Sequence, residues 1–243
     1  MTSGSSPVLD VIIPVYNEGQ NIRDVLAAFQ QETRTPIRVL LCYDRDDDTT
    51  LEAAKAAAVT FPVVPVKNAG RYAHGAVVTG FRASTAPAAI TYMADDDYNA
   101  GLIDSMVALF HEGNHVVCAS RFMPGGSMIN CPWPKSWLVE AVAWSLNHLG
   151  GLPVHDPTNA FRLFSRDLLQ RVPIQSSQGF TYSMELLAKC HRLGWKMAEI
   201  PAQWRERRSG ASRFRVFRWA PAYLRWYFYI LVTTCRHRAT LRA

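Results

Sequence analysis

Along the first half of the chain, short apolar runs alternate with stretches whose apolar residues recur every three or four positions. Residues 8–15 (VLDVIIPV) are rich in β-branched side chains and are expected to form a strand. Ile22, Val25, Leu26 and Phe29 follow at helical spacing, which predicts a helix over 21–31. The same reasoning gives strands at 37–43, 61–66, 88–94 and 115–119, and helices near 50–58, 73–83 and 101–111. Pro62 and Pro65 put the 61–66 strand near a sheet edge. Repeated strand–helix units imply an α/β fold: a mostly parallel sheet with helices on both faces.

The second half is less regular. Pro/Gly clusters at 124–126 and 132–134 mark a loop-rich connection. Helices are expected at 136–149 and 182–193, and a strand at 196–200 leads into an Arg-rich loop. From residue 217, aromatic and aliphatic residues alternate with Arg218, Arg225, Arg236 and Arg238. This amphipathic segment suits a membrane surface, or else packs on the core or on a second subunit. Its longest apolar run is interrupted at Arg225, short of the roughly 18 residues a span needs.

In parallel sheets, ligands bind beyond the carboxyl ends of the strands. The unusual polar residues stand there: Tyr16, Asn17 and Glu18 after the first strand, residues 44–48 (DRDDD) after the second, and residues 95–99 (DDDYN) after the fourth. Three adjacent aspartates repel one another unless a cation or a set of donors compensates. A divalent ion such as Mg²⁺ or Mn²⁺, held by one or two carboxylates and by phosphate oxygens, is the simplest compensation. If the run is extended, Asp95, Asp97 and Asn99 share one side, and Asp96 and Tyr98 point away. The alternative is a solvated turn capping the next helix. In the second cluster, Asp48 is expected to cap the helix that follows, and Asp44, first off the strand, suits a base or ribose. Glu18 also reads as a first-turn acid favoured by the helix dipole.

Composition adds constraints. The 243 residues are 49% hydrophobic and 19% charged, enough for one large domain or two fused halves and unlike a disordered chain. The net charge of +6 is concentrated in Arg205, Arg207, Arg208, Arg213, Arg215 and Arg218, broken only by Glu206, which favours phosphate-bearing partners. Nothing resembles a nucleic-acid reading motif, so no nucleic-acid partner is expected. Five scattered cysteines and a polar start without a signal-peptide pattern fit a cytoplasmic protein, at most at the cytoplasmic face of a membrane. Residues 111–115 (HEGNH) match a zinc-protease expression, but Gly113 and Asn114 end the helix that this chemistry requires. Residues 70–75 (GRYAHG) form neither a P-loop nor a dinucleotide fingerprint.

The runs VIIPVYNE at 11–18, DRDDDTT at 44–50 and DDDYN at 95–99 resemble, in order and spacing, the family 2 glycosyltransferases of GT-A fold. Five later segments resemble the polyprenyl-phosphate branch, whose best-known member is dolichyl-phosphate mannosyltransferase. They are ASRFMPGG at 119–126, DPTNAFR at 156–162, ELL at 185–187, EIP at 199–201 and RRSGASR at 207–213. The resemblance implies a GT-A domain over 7–215, with a nucleotide-sugar half (7–115) and an acceptor half (116–215), followed by the C-terminal segment 216–243. It implies a nucleotide-sugar donor of GDP-mannose or UDP-hexose type, bound by Pro14, Tyr16, Glu18, Asp44 and Asp95. It further implies a Mg²⁺ or Mn²⁺ site at Asp95, Asp97 and Asn99, and a polyprenyl-phosphate acceptor. Arg121, Lys135, Arg207 and Arg213 would bind phosphates, with Asp97, Arg121 and Arg207 closest to the chemistry.

Two departures fall on the acceptor side. The family carries an arginine shortly after the Gly-Gly loop, where this chain offers only Lys135 nearby, and Ala160 replaces a glycine. A hydroxyl acceptor is the alternative, and it would need a general base, for which Asp156 and Glu185 are the candidates. A non-catalytic nucleotide-binding or assembly subunit is the second alternative. The oligomeric state is not legible in the sequence.

Overall fold

The computed structural model describes residues 7–205 and 216–240, with the helix path alone for 216–218 and 235–240. Its frame is a seven-stranded sheet built from β1 (Leu9–Val15), β2 (Ile37–Tyr43), β3 (Val63–Lys67), β4 (Ala88–Thr91), β5 (Val116–Ser120), β7 (Arg162–Ser165) and β8 (Met197–Pro201), in the order β3-β2-β1-β4-β7-β5-β8. All neighbours run parallel except β7, which is antiparallel to both β4 and β5. A small parallel pair, β6 (Ser127–Ile129) and β9 (Gln203–Arg205), stands apart.

The helices are α1 (Asn21–Glu32), α2 (Thr49–Lys55), α3 (Tyr72–Ala83), α4 (Leu102–His111), α5 (Trp133–His148), α6 (Arg166–Arg171), α7 (Thr181–Arg192) and α8 (Val216–Thr240). One face of the sheet packs on α1, α2 and α4 through Val11, Ile13, Val39 and Leu41. The other packs on α3, α7 and α8 through Ile12, Leu40 and Cys42. Strands buried on both faces read as continuous apolar runs, which is why β1 and β2 lack alternation. On the second face α3 lies close to the sheet. A Cβ on Gly80 would come within 2.5 Å of Ile12 Cγ2 and 2.9 Å of Cys42 Sγ.

The parallel units expected from the periodicity are present, with β3 at the edge, where Pro65 faces away from β2 and costs no ladder bond. Pro14 is tolerated within β1 for a related reason. Ile12 O accepts from Tyr92 N at 2.9 Å, and Pro14 faces the same side two residues later, beyond the end of β4. The strand β7 was not expected. Its four residues hold only Leu163 and Phe164 between Arg162 and Ser165, too short a run to show a period. Through it the two expected halves share one sheet, since β7 pairs with β4 on one side and β5 on the other.

A buried acid secures the end of β1 away from the site. Asp10 is fully buried and accepts from Arg38 Nε and Nη2 at 2.8 Å each, from Ser84 Oγ at 2.8 Å, and from the Thr85 and Ala86 amides at 2.9 and 3.0 Å. Burial alone would raise its pKa, but Arg38 and the three other donors outweigh it and hold the carboxyl below its ordinary value. A depressed folded-state pKa contributes stability that is complete above about pH 4 and fades as pH falls through the lower folded value. Asp10→Asn is therefore expected to cost about 3 kcal/mol at pH 7, and the gap to wild type should narrow at pH 3. Urea denaturation at both pH values checks this, and an equal gap at both would remove the charge from the explanation.

Candidate active site

The carboxyl ends of β1, β2 and β4 bring three polar loops together. After β1, Tyr16 is exposed, and Asn17 takes a left-handed φ of 54°. Its amide donates to both Asp48 oxygens at 3.1 Å, while Glu18 N donates to Thr50 Oγ1 at 2.9 Å. Asp48 also caps α2 through Thr50 N at 2.9 Å, as the sequence led us to expect, so one buried carboxylate fixes both loops. Glu18 accepts from Asn21 Nδ2 at 2.7 Å. Within 44–48, Asp46 pairs with Lys67 and Asp47 with Arg45 on the surface. Asp44 accepts from Asn68 Nδ2 at 2.5 Å. The second acidic run is thus largely occupied by structural partners. Asp44 stands half-buried at the strand end.

The run after β4 is a turn rather than an extended segment, with Asp96 N donating to Met93 O at 3.3 Å. Asp96 turns inward, as expected, but Asn99 turns with it. Asn99 Nδ2 donates to Asp96 Oδ2 at 2.7 Å and to Gln203 O at 2.9 Å, and Asn99 Oδ1 accepts from Gln203 N at 3.3 Å. The alternation that grouped Asn99 with Asp95 and Asp97 therefore fails, and the buried Asn99 amide is not placed as a ligand. Burial pushes the Asp96 carboxyl up to about 6, against the lowering effect of the Asn99 and Tyr98 donors. Asp95 is half-buried and Asp97 exposed. Among the described residues nothing donates a hydrogen bond to Asp97, and no three His, Cys, Asp or Glu side chains converge on a metal-sized point. The exposed Asp97 carboxylate, with Asp95 two residues before it, offers oxygen ligands of the kind a divalent ion takes when phosphate oxygens complete its shell.

The basic residues divide. Arg121, expected to bind phosphate, instead forms a bidentate pair with Asp156, with Nε to Oδ2 at 2.6 Å and Nη2 to Oδ1 at 2.9 Å. Its Nη2 also reaches Thr158 Oγ1 at 2.6 Å. Its charge is thus already neutralised in a nearly buried setting. Lys135 is exposed on the first turn of α5, its ammonium 4.5 Å from the Trp204 ring centroid. Arg207 and Arg213 lie outside the described residues. Arg205, a member of the basic cluster read as favouring phosphate-bearing partners, lies 4.5 Å over the Tyr98 ring, and its amide donates to Tyr98 Oη at 3.1 Å. No spacing rule relates positions 98 and 205, so this contact was not legible beforehand.

Both candidate bases are committed elsewhere. Asp156 is fully buried and also accepts from Thr158 and Asn159. Burial would raise its pKa, but Arg121 and these donors hold it below the ordinary value. Glu185, equally buried, accepts from the Gln175 and Ser176 amides at 2.7 Å each and pairs with Lys189 at 2.5 Å. The glycine pair before β6 shapes the adjoining loop. Gly125 has φ 91°, and a Cβ on Gly126 would meet Ser120 O at 2.4 Å.

Comparison with known proteins agrees with this architecture. A family model described as "Glycosyl transferase family 2" matches residues 10–173. The dolichyl-phosphate hexose transferase of Haloferax volcanii is 29% identical over 209 residues, covering 85% of this chain and 87% of that protein. The polyprenol monophosphomannose synthase of Mycolicibacterium smegmatis is 24% identical over 212 residues, covering 84% and 79%. Among solved structures, the glucosyl-3-phosphoglycerate synthase of Mycobacterium tuberculosis, in complex with Mn²⁺, UDP and phosphoglyceric acid, superposes with a TM-score of 0.65. It is 18% identical and covers 95% of this chain and 79% of that one. The chain belongs to glycosyltransferase family 2, and it is a glycosyltransferase of GT-A fold.

Proposed function

We propose that the enzyme transfers a sugar from a nucleotide-sugar, of GDP-mannose or UDP-hexose type, to a polyprenyl phosphate with inversion. The observation that carries the acceptor class is the commitment of Asp156 and Glu185. Each is fully buried and held by donors of its own, so neither is disposed to take a proton from a hydroxyl acceptor. A phosphate acceptor is already anionic near neutral pH and needs no base. The names of the Haloferax and Mycolicibacterium relatives support the same class.

In this reading Tyr16, Glu18 and Asp44 line the nucleotide side, with Pro14 setting the end of β1. Asp95 and Asp97 would hold a Mg²⁺ or Mn²⁺ together with the diphosphate. Bound there, the ion supplies positive charge where the leaving nucleoside diphosphate gathers negative charge. An acceptor phosphate oxygen attacks the anomeric carbon from the face opposite the nucleotide. The new C–O bond forms as the bond to the β-phosphate oxygen breaks, and the electron pair departs with the diphosphate. Lys135 and Arg205 bring cationic charge to the acceptor side, and the Arg121–Asp156 pair holds the loop at the end of β5.

A lipid acceptor also requires a meeting place. Among the described residues, no helix is long and apolar enough to cross a membrane. The helix α8 exposes Leu224, Phe228 and Val232 at successive turns, and the neighbouring α5 exposes Trp133, Trp137 and Trp144 on one stripe. Residues 216–243 contain five arginines and no acid. An apolar face on a segment of such net positive charge suits contact with an anionic bilayer surface.

Two predictions test this reading. In a donor panel with undecaprenyl or dolichyl phosphate, at least one nucleotide-sugar should deliver label to the lipid phase with metal present. Asp97→Ala should lower that transfer by about 100-fold or more, and metal-dependent transfer unchanged in Asp97→Ala would overturn the metal assignment. In flotation with anionic vesicles, the full chain should rise with the lipid and a chain lacking 216–243 should remain behind. Equal partitioning of the two would sink the membrane contact.

A further inference from the structure

Asn99 stands where the family resemblance implies a metal ligand, yet both ends of its amide are engaged elsewhere. Its Nδ2 and Oδ1 form a reciprocal pair with the peptide of Gln203, at 2.9 and 3.3 Å, and Nδ2 also donates to Asp96. One residue earlier, Tyr98 Oη accepts from Arg205 N at 3.1 Å, under the Arg205 guanidinium. Along a strand, alternate residues direct their backbone groups to opposite sides. In β9, Gln203 and Arg205 turn one edge toward the acidic run, while Trp204 faces β6 in the register Met128–Trp204. The side chains of Tyr98 and Asn99 therefore occupy the edge of β9 that no third strand covers among the described residues.

We propose that Asn99 is a positioning residue, a latch that fastens the acidic run to β9 and thereby sets where Asp95 and Asp97 present their carboxylates, rather than a ligand of the metal. The proposal rests on reading Asp95 and Asp97 as the donor-side metal site, and it assigns the adjacent amide a different task. Three features carry it. The amide is buried, unlike the exposed Asp97 carboxylate. Its hydrogen bonds to Gln203 join segments 104 residues apart. Its neighbour Asp96 faces inward and accepts Nδ2–H, so the two residues form a unit that an oxygen-only side chain at position 99 cannot reproduce. Through Gln203 the latch reaches the end of β5, because the next residue back, Ala202, donates to Ser120 O at 2.9 Å. Asp95 and Asp97 are thereby held in register with the loop that carries Arg121.

The test separates a latch from a ligand by changing the amide without removing its oxygen. Asn99→Asp keeps a potential metal ligand, loses both N–H donors and places a second carboxylate against Asp96. As a latch, its loss is expected to speed hydrogen exchange of the Gln203 and Arg205 amides roughly tenfold with no metal or nucleotide present. It should also weaken Mn²⁺-dependent nucleoside diphosphate binding, measured by calorimetry, about tenfold. Asn99→Ala should match it in exchange, and Asp96→Asn combined with Asn99→Asp should recover part of the protection by reversing the donor. As a ligand, Asn99→Asp would retain or tighten Mn²⁺-dependent binding and leave exchange at 203 and 205 unchanged, and that result overturns the proposal. Unchanged exchange in Asn99→Ala overturns it as well. Asp97→Ala serves as the control. If metal-dependent binding survives in that variant, the donor-site reading is what fails, while the exchange measurement still judges the latch.

Discussion

The structure depends on a guanidinium in the middle of its sheet. Arg162 opens β7 with no exposure to solvent, and an arginine cannot shed its proton to escape burial. It must be held by acceptors, since an unpaired buried charge costs more than a fold of this size can absorb. Its Nη1 donates to Ser183 O and Oγ at 2.7 and 2.8 Å, and its Nη2 to Asp156 O at 3.2 Å. Those bonds tie the antiparallel strand to α7 and to the loop before it. Asp156 in turn receives Arg121 on its side chain, so one buried residue meets Arg162 through its carbonyl and Arg121 through its carboxylate.

The chemistry follows from that arrangement. Asp156 is bound into holding the 156–159 loop against the end of β5, and Glu185 is bound into holding the 175–176 loop against α7. Acidic groups that a sequence offers as bases thus become structural once the chain has folded. In the acidic runs after β2 and β4 the partners are unevenly shared. Asp46, Asp47 and Asp48 have partners, while Asp97 accepts none among the described residues. A carboxylate left open beside a buried neighbour is well placed for a cation that arrives with its ligand.

The small β6–β9 pair links these regions. It joins the loop after β5 to the acidic run after β4, across the break that an unpaired edge would otherwise leave. Fold neighbours with TM-scores near 0.65 and identities near 18% indicate that the frame tolerates wide sequence change. The residues that orient its carboxylates can therefore differ from one chain to the next.

The sequence by itself determined the parallel strand–helix units, the edge position of β3, the Asp48 cap and the placing of acidic residues at strand ends. Each of these rests on local periodicity, on proline chemistry or on a side chain bonding its own neighbours. Only the tertiary structure decided that β7 enters the sheet antiparallel, because four residues carry no period of their own. It also paired Arg121 with Asp156 and turned Asn99 toward Gln203 rather than toward Asp97. Those outcomes depend on groups 35 and 104 residues apart meeting in a low-dielectric interior, where a charge or an amide must find a partner. Residue types and spacing name the groups that can pair, and the packed chain selects which of them do.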